Sequence, residues 1–331
     1  MRALITGGAG FIGTRLVTWL HDRADEIFVY DSREKPATGW GTCVNLLGHD
    51  RVLLGHVQDM QRMSDLVQRI RPDVVLHLAA QSHVDASIKS PTETIEANVL
   101  GTHVVAMVCA RWKVPLVYCS TDEVYGDALG CERASREYDP LEPSSPYSAS
   151  KASGELLVRA ISRTFGLDFA ITRGTNAFGP GQYPEKLIPI ACRMLHSGER
   201  VQLHGGGFQI RQWVHVDEFA ECLALVAQRL VERDEDVIGQ TFNIAGPERI
   251  SVIGLVEMLA KRMGVSVDDA HEATADRPGG DAEYYVDGSR ARDVLGFQAK
   301  RVITHDNELE LLISEYASVG CFHATVYGGA A

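Results

Sequence analysis

The fold is decided by residues 6–13, which read TGGAGFIG. Its glycines match the GxGxxG spacing, and the stretch lies between the first apolar run and a helix-like segment, Ile12 to His21. In such a context Gly8 permits the turn after the strand, Gly10 lets the backbone approach a pyrophosphate, and Gly13 allows the helix to pack closely on the strand. The stretch predicts a dinucleotide-binding βαβ unit; a glycine-rich turn without a ligand is the less favoured alternative.

The end of the second apolar run indicates which dinucleotide would bind. Asp31 follows Gly13 by 18 residues and closes the segment Ile27 to Tyr30. An acidic residue at this place bonds the ribose 2′-hydroxyl. Arg33 is the opposing feature, because a nearby arginine can accommodate a 2′-phosphate, but Asp31 would repel that group. The sequence therefore favours NAD over NADP.

Composition and charge exclude several classes of protein. The 331 residues are 45% hydrophobic and 23% charged, with a formal net charge of −12. This charge opposes broad contact with nucleic acid, whose affinity comes from lysine and arginine replacing counterions. No apolar run approaches the roughly 20 residues of a membrane helix, and the chain starts without a secretory pattern, so we expect a cytoplasmic protein. Its seven cysteines lack CxxC spacing, and we expect reduced thiols and no metal site.

Strand-like and helix-like segments alternate over residues 1–172, which predicts an α/β fold with a doubly wound parallel sheet of the Rossmann type. We expect residues 1–172 to bind NAD. A smaller C-terminal domain over 173–331 would then bind the substrate. The two are expected to be interleaved, because segments near 212–245 have the pattern of elements that return to the sheet. The segments are Ala3 to Thr6, Ile12 to His21, Ile27 to Tyr30, Val52 to Val57, Met60 to Ile70, Val74 to Leu78, Thr92 to Trp112, Leu116 to Ser120, Tyr147 to Phe165 and Phe169 to Thr172.

Two adjacent carboxylates follow one of the predicted strands. The hexapeptide Ser120 to Tyr125 reads STDEVY. In open α/β sheets ligands collect at the carboxyl ends of strands, so Asp122 and Glu123 should face a ligand and can divide the roles of acid and base. A capping box between Ser120 and Glu123 is the alternative. Gly126 interrupts after one turn, which favours a site.

Tyr147 and Lys151 stand four residues apart at the start of a helical segment, so they share one helix face. A free tyrosine has a pKa of about 10 and is a poor base at neutral pH. A lysine ammonium and a positively charged nicotinamide would favour the phenolate. Tyr147 would then take a proton from a sugar hydroxyl while hydride leaves its carbon.

With these motifs the chain resembles the extended short-chain dehydrogenase/reductase family, and within it the nucleotide-sugar 4,6-dehydratases, above all those that act on dTDP-glucose. The resemblance extends over most of the chain. Its further motifs are HLAAQSHVD (residues 77–85), NVLGT (98–102), SSPYSASKA (144–152), YPEKLIP (183–189) and DRPG (276–279).

The resemblance implies a reaction in three stages on an NDP-hexose, with dTDP-glucose as the first expectation. Tyr147, with Thr121 bonding the same hydroxyl and Lys151 holding the ribose, oxidises C4 and forms NADH. Glu123 removes the C5 proton while Asp122 protonates the departing C6 hydroxyl, and hydride then returns to C6. A carboxyl with a pKa of about 3.9 is ionised at pH 7, so burial and the Glu123 charge must raise the pKa of Asp122. The resemblance also implies a homodimer.

The family's contact positions can be transferred residue by residue. Gly280 stands where dTDP-glucose dehydratases usually have histidine, and the segment 32–49 departs from their usual loop, so the base and the hexose are less determined than the reaction. The cofactor contacts implied are Gly7, Gly10, Phe11, Ile12, Gly13, Asp31, Ser32, Gln58, Asp59, Leu78, Ala79, Ala80, Asn98, Tyr147 and Lys151. The substrate contacts implied are Ser82, Thr121, Asn176, Glu185, Lys186, Leu187, Arg211, Asn243 and Arg277.

Three other functions remain open on the sequence. A nucleotide-sugar 4-epimerase uses the same tyrosine, lysine and threonine without water loss and needs no acid and base at positions 122 and 123. A UDP-glucuronate decarboxylase commonly keeps the glutamate but has serine in place of Asp122. A non-catalytic NAD-binding sensor would be marked by loss of Tyr147, Lys151 or the acidic pair, and all are present.

Overall fold

The computed structural model describes residues 1–23, 25–33 and 39–317. Its centre is a seven-stranded parallel sheet in the order β10-β6-β5-β4-β1-β2-β3. The strands along the chain are β1 (Arg2–Thr6), β2 (Glu26–Asp31), β3 (Val52–Leu54), β4 (Val74–His77), β5 (Leu116–Thr121), β6 (Phe169–Gly174), β7 (Asn176–Phe178), β8 (Val201–His204), β9 (Ile210–His215), β10 (Gln240–Ile244), β11 (Glu248–Ser251) and β12 (His271–Thr274).

Helices cover both faces of this sheet, which is why its strands are almost continuously apolar. The α-helices are α1 (Phe11–His21), α2 (Trp40–Leu47), α3 (Met60–Ile70), α4 (Val84–Lys89), α5 (Pro91–Ile95), α6 (Gly101–Trp112), α7 (Pro146–Phe165), α8 (Leu187–His196), α9 (Val216–Val231), α10 (Val252–Arg262), α11 (Val267–Ala270), α12 (Ser289–Leu295) and α13 (Asp306–Ala317). Short 3-10 helices lie at His49–Arg51, Asp122–Tyr125 and Gly205–Gly207.

The core has one layer on each side of the sheet and a third cluster in the C-terminal half. Helices α1 and α9 pack on one face, with Leu16 and Phe219 buried there. Helices α3, α6 and α7 pack on the other, around Met63 and Val158. The third cluster gathers α8, α10 and α13 around Leu255. None of the helices in the described part of the chain is both long enough and apolar enough to cross a membrane.

The doubly wound parallel sheet agrees with the sequence prediction. Strand β10 pairs in parallel with β6, and α9 packs beside α1. Two predicted elements differ. The helix predicted over 92–112 is divided into α5 and α6 by a π-helical turn, Glu96–Leu100. The capping box predicted as an alternative at Ser120 does not form, because Asp122–Tyr125 is a single 3-10 turn capped by the Thr121 hydroxyl.

Candidate active site

Two glycines between the end of β1 and the first turn of α1 lie too close to other backbone atoms to carry a side chain. Gly7 has a φ of +70°, and a Cβ atom there would lie 2.6 Å from the backbone nitrogen of Ala79. A Cβ on Gly13 would overlap the Gly7 carbonyl oxygen, so close packing requires glycine at 13 as predicted. Gly8 lies within the turn that the Gly10 N–H closes onto the Gly7 carbonyl, but the residue with the left-handed conformation is Gly7.

The start of α1 has the features of a dinucleotide site. Gly10 is its N-cap, and no side chain in the described part of the chain caps the helix there, so the first backbone N–H groups remain for an anion. Asp31 ends β2, and its carboxylate accepts hydrogen bonds from the backbone N–H of Ala9 at 3.1 Å and of Arg33 at 3.0 Å. The Arg33 guanidinium lies 5.4 Å from the Trp40 ring centroid. These residues fit a pyrophosphate at α1 and a ribose hydroxyl at Asp31.

The other residues predicted to border the cofactor lie at the ends of the neighbouring strands. Leu78 and Ala79 follow β4, and the Leu78 N–H donates to the Thr6 carbonyl oxygen at 3.0 Å. Asp59 is the N-cap of α3, where its side chain accepts from the Arg62 N–H at 3.0 Å. Of the remaining predicted positions, Ser32, Gln58 and Ala80 lie on these loops, and Phe11 and Ile12 are the first two residues of α1.

Asn98, predicted to contact the cofactor, makes its side-chain hydrogen bonds within the protein. It is 1% exposed and lies in the π-helical turn. Its side-chain oxygen accepts from the Gln81 N–H at 2.7 Å, and its amide nitrogen donates to the Gln81 carbonyl at 2.9 Å and to the Ser150 hydroxyl at 2.8 Å. The Ser150 hydroxyl in turn donates to the Tyr147 carbonyl at 2.7 Å. Asn98 therefore holds the loop after β4 against the first turns of α7.

Tyr147 and Lys151 lie side by side on α7, as the spacing predicts. The helix starts at Pro146 behind a reciprocal Ser145–Ser148 capping box. Both side chains are buried, and the Lys151 ammonium lies 4.4 Å from the Tyr118 ring centroid. Burial lowers the pKa of Lys151 to about 8.

The pKa of Tyr147 differs from the sequence expectation. Burial raises it well above 10, and the charge of Glu123 raises it further. The protein alone therefore holds Tyr147 as the neutral phenol, and Lys151 by itself does not produce the expected lowering. Formation of the phenolate requires additional positive charge near the ring.

The carboxylate turn, residues Asp122–Tyr125, begins where β5 ends. The Thr121 hydroxyl donates to Asp122 Oδ1 at 3.2 Å and accepts from the Glu123 N–H at 3.4 Å. Asp122 is 2% exposed, and its Oδ2 has no hydrogen-bond partner among the described residues. Burial, and then the Glu123 charge, raise the pKa of Asp122 to about 8, by the two causes expected from the sequence.

Glu123 has a different electrostatic environment from its neighbour. Burial raises its pKa, but the charges of Lys186 and Arg211 oppose the shift. Asp122 is therefore disposed to hold a proton, whereas the cations near Glu123 favour its charged form. This is the division of roles that a proton donor and a proton acceptor on one substrate need.

Positive residues from the C-terminal half meet the loop after β4. Lys186 donates to the Ser82 carbonyl at 3.1 Å. The Arg277 guanidinium pairs with Asp85, with 2.7 Å between Nε and Oδ1. Four predicted substrate residues, Ser82, Glu185, Lys186 and Arg277, therefore lie around this loop, with Glu185 Oε2 placed 3.8 Å from His83 Nε2.

Three more of the predicted substrate residues lie on elements of the C-terminal half. Leu187 is the first residue of α8, and Asn176 is the first residue of β7. Arg211, on β9, donates to the Asp281 carbonyl at 2.8 Å, and its guanidinium lies 4.4 Å from the Tyr284 ring centroid.

Asn243, predicted to contact the substrate, also makes its side-chain hydrogen bonds within the protein. It is fully buried in β10. Its side-chain oxygen accepts from the Tyr125 hydroxyl at 2.7 Å, and its amide nitrogen donates to the carbonyls of Ser135 and Asp287, each at 3.1 Å.

His77 is a polar residue of the site that the sequence analysis left unassigned. It is fully buried, with Nδ1 2.7 Å from the Thr6 hydroxyl and Nε2 3.1 Å from the Thr102 hydroxyl. Burial lowers its pKa to about 3, so it is neutral. Because Thr102 already donates to the Asn98 carbonyl at 2.5 Å, it accepts from His77, which assigns the proton to Nε2. The sequence feature that could have identified this residue is a histidine at the end of the apolar strand β4.

No group of three or more histidine, cysteine, aspartate or glutamate side chains within residues 1–23, 25–33 and 39–317 is arranged to hold a metal ion. The six cysteines in this part of the chain are free thiols, five of them buried.

Comparison with known proteins identifies the family. The model of the NAD dependent epimerase/dehydratase family matches residues 3–245. The dTDP-glucose 4,6-dehydratase of Streptomyces antibioticus is 38% identical over 91% of this chain and 88% of its own length. That of Neisseria meningitidis is 37% identical over 89% and 88%.

Solved structures give the same result. The dTDP-glucose 4,6-dehydratase of Streptomyces venezuelae, solved with NAD bound, is 34% identical and superposes with a TM-score of 0.87 over 96% of this chain and 98% of its own. The UDP-glucose 4-epimerase of Thermotoga maritima, solved with UDP-glucose, is 26% identical, with a TM-score of 0.83 over 96% and 99%. The chain belongs to the NAD dependent epimerase/dehydratase family.

Proposed function

We propose that the chain is an NAD-dependent nucleotide-sugar 4,6-dehydratase, a hydro-lyase that converts dTDP-glucose to dTDP-4-keto-6-deoxyglucose. The observation that carries this proposal is Asp122, a buried carboxyl with a pKa of about 8 directly beside Glu123. A dehydration needs an acid for the leaving hydroxyl and a base for the neighbouring carbon, whereas an epimerisation needs neither. The curated relatives named dTDP-glucose 4,6-dehydratase support the same reaction.

The first stage is oxidation at C4 of the hexose. Held by the α1 turn and Asp31, NAD would supply the hydride acceptor for C4 and the hydride for C6. As the phenolate, Tyr147 would take the proton of the C4 hydroxyl, and Thr121 would bond the same oxygen. Lys151 and the positive charge that bound nicotinamide would add near the ring favour that phenolate. Lys151, charged below a pH of about 8, supplies positive charge close to the phenol. Its burial strengthens that effect, because charges interact more strongly where water is excluded.

The second stage is loss of water between C5 and C6. The 4-ketone acidifies the C5 proton, which Glu123 removes as the base. Asp122 gives its proton to the C6 hydroxyl, so that the leaving group departs as water and Asp122 ends as the carboxylate. The Thr121 hydroxyl, 3.2 Å from Asp122 Oδ1, orients that carboxyl. Glu123, now protonated and able to exchange with solvent, returns a proton to C5 as the hydride returns to C6, which completes the 4-keto-6-deoxy product.

The substrate's diphosphate needs cations, and the C-terminal half supplies them. Lys186, Arg211 and Arg277 lie near the carboxylate turn, since the charges of all three act on Glu123. Arginine suits phosphate oxygens through its bidentate fork. We assign residues 1–172, with α9 and β10, to NAD binding and the rest of 173–331 mainly to the nucleotide sugar.

We also propose a homodimer formed through the helices of the α5–α7 face. Ile95, Leu100 and Leu156 are 53%, 47% and 61% exposed, and they lie on α5, the π-helical turn and α7, which pack together. Exposed apolar side chains grouped in this way are typical of an interface. Sedimentation of the wild-type chain and of Leu156→Glu tests it: we expect a dimer that the substitution weakens, and a wild-type monomer would refute it.

The function is tested by incubating the protein with NAD and dTDP-glucose in deuterated water. We expect a product lighter by one water that carries deuterium at C5. An isobaric product would identify the 4-epimerase, the second candidate, which the likeness to the Thermotoga maritima enzyme favours. Release of carbon dioxide from UDP-glucuronate would identify a decarboxylase, and binding of NAD without turnover a sensor. Water loss from a UDP-, GDP- or CDP-hexose alone would keep the reaction and refute the substrate.

A further inference from the structure

A buried arginine lies between the two halves of the proposed catalytic machinery. Arg173, near the end of β6, is 2% exposed. Its guanidinium donates to both oxygens of the fully buried Glu155, with distances of 2.9 Å from Nε and 2.6 Å from Nη2. Glu155 lies on α7 one turn after Lys151. Arg173 is therefore fixed to the helix that carries the tyrosine and the lysine.

The same guanidinium contacts the carboxylate turn. Its Cζ lies 4.6 Å from the ring centroid of Tyr125, the last residue of that turn. The Tyr125 hydroxyl donates to Asn243 at 2.7 Å, so the ring is held at its edge as well as on its face. Planar stacking and a two-pronged bond to a carboxylate are the contacts that arginine makes and lysine does not.

A second segment closes this network. Arg173 Nη1 donates to the Glu137 carbonyl at 3.2 Å, and the Glu137 carboxylate accepts from the Asn243 N–H at 2.9 Å. Tyr125 is thus enclosed by Arg173 on one side and Asn243 on the other, and both are tied to Glu137. These contacts tie the end of the carboxylate turn to β6 and β10.

We propose that Arg173 is a positioning residue that, through Glu155 and Tyr125, fixes the Asp122–Glu123 pair relative to Tyr147 and Lys151. This inference rests on the proposed function. The tyrosine–lysine pair lies on α7 and the carboxylates follow β5, yet both must act on one hexose. Well-packed apolar residues would stabilise a core as well as a buried ion pair does, so stability alone does not account for the pair. Misplacement of reacting groups by about 1 Å can cost about 100-fold in rate.

Two measurements distinguish C4 oxidation from the loss of water. dTDP-6-deoxyglucose has no C6 hydroxyl to lose, so the absorbance of reduced nicotinamide formed from it reports C4 oxidation alone. Loss of water from dTDP-glucose, followed by mass under single-turnover conditions, includes the elimination. The variants are Tyr125→Phe, which removes the hydroxyl that bonds Asn243 and interacts with Arg173, and Arg173→Lys, which keeps the charge but not the fork. Tyr30→Phe, which removes a buried 3.0 Å bond from a tyrosine hydroxyl to the His56 carbonyl, is the matched control.

We expect Tyr125→Phe to slow water loss about tenfold, equivalent to about 1.4 kcal/mol in barrier height, while C4 oxidation changes by less than about twofold. Arg173→Lys should slow water loss, relative to C4 oxidation, more than Tyr125→Phe does. Tyr30→Phe should leave the ratio of the two rates unchanged. Equal slowing of both steps, or lower thermal stability with an unchanged ratio, would overturn the inference. If Arg173→Lys does not fold, Tyr125→Phe decides the question. Absence of water loss in the wild type would instead refute the proposed function.

Discussion

The replacement Asp122→Asn removes the proposed proton donor and leaves the other residues of the site unchanged. Asparagine has nearly the shape of a protonated aspartate and can still accept the Thr121 hydrogen bond, but it has no proton to give to a leaving hydroxyl. We expect C4 oxidation to persist and water loss to slow. General acid catalysis contributes about 10²- to 10⁴-fold, which is the slowing expected.

The size of the effect follows from the pKa of Asp122, which is raised from 3.8 to about 8. At pH 7 a carboxyl with a pKa of about 8 is about 90% protonated, whereas one at its ordinary value carries a proton in about one molecule in 1,600. Wild-type water loss should therefore fall as the pH rises through about 8. Residual water loss in Asp122→Asn should lack this decline.

The same substitution should stabilise the protein. Asp122 binds its proton more tightly when folded, so its contribution to the free energy of unfolding falls as the pH rises from 3.8 to about 8. At about 1.4 kcal/mol per pKa unit, the roughly three units between 3.8 and pH 7 give a cost of about 4 kcal/mol. Asp122→Asn removes this cost, so the variant should have a higher free energy of unfolding than the wild type at pH 7. Near pH 4 the substitution should make no such difference.

The assay combines single-turnover mass analysis with urea unfolding at about pH 4 and pH 7. Asp236→Asn, on an exposed aspartate, serves as the matched control and should change neither measurement. The reasoning is refuted if Asp122→Asn loses water at the wild-type rate, or if its stability gain is the same at both pH values.

Three further predictions concern the cofactor half. Gly13→Ala should abolish NAD binding in a fluorescence titration, because its Cβ overlaps the Gly7 carbonyl, while Gly41→Ala, where a Cβ meets nothing within 4 Å, should bind normally; equal binding would contradict the packing. Asp31→Asn should reduce the preference for NAD over NADP in competitive binding, and an unchanged ratio would remove Asp31 from that role. Lys151→Met should slow C4 oxidation below pH 8, where wild-type Lys151 is charged, and the two rates should converge as Lys151 loses its proton above that pH; a constant ratio would argue against an electrostatic role.

The sequence predicted those features that depend on neighbouring residues. Strand β1, helix α1 and Gly13 follow from a local pattern in which apolar run, glycines and helix are consecutive. Asp122 and Glu123 are adjacent, so a difference in their pKa values was expected before any distance was known. Spacing did not identify Gly7 as the residue without room for a side chain, because the backbone that it approaches is at Ala79, 72 residues away.

Asn98 and Asn243 show what could not be predicted. A buried asparagine has a donor group and an acceptor that must be satisfied, but the sequence does not name the partners. For Asn98 they are Gln81 and Ser150, and for Asn243 they include Tyr125, more than a hundred residues earlier. The family positions suggested ligand contacts for both, whereas the fold uses both amides inside the protein.

The assignment of acid and base in the carboxylate turn is itself a property of the whole chain. Burial raises the pKa of both carboxyls and lowers that of Lys151, so below a pH of about 8 Asp122 is neutral and Lys151 is charged. Burial alone would also favour a proton on Glu123. The charges of Lys186 and Arg211 oppose this, and these two residues lie in the C-terminal half, where the diphosphate is proposed to bind. A bound diphosphate would partly neutralise them, which would raise the pKa of Glu123 and make it a stronger base. Substrate binding and the strength of the base are therefore coupled through the same two cations.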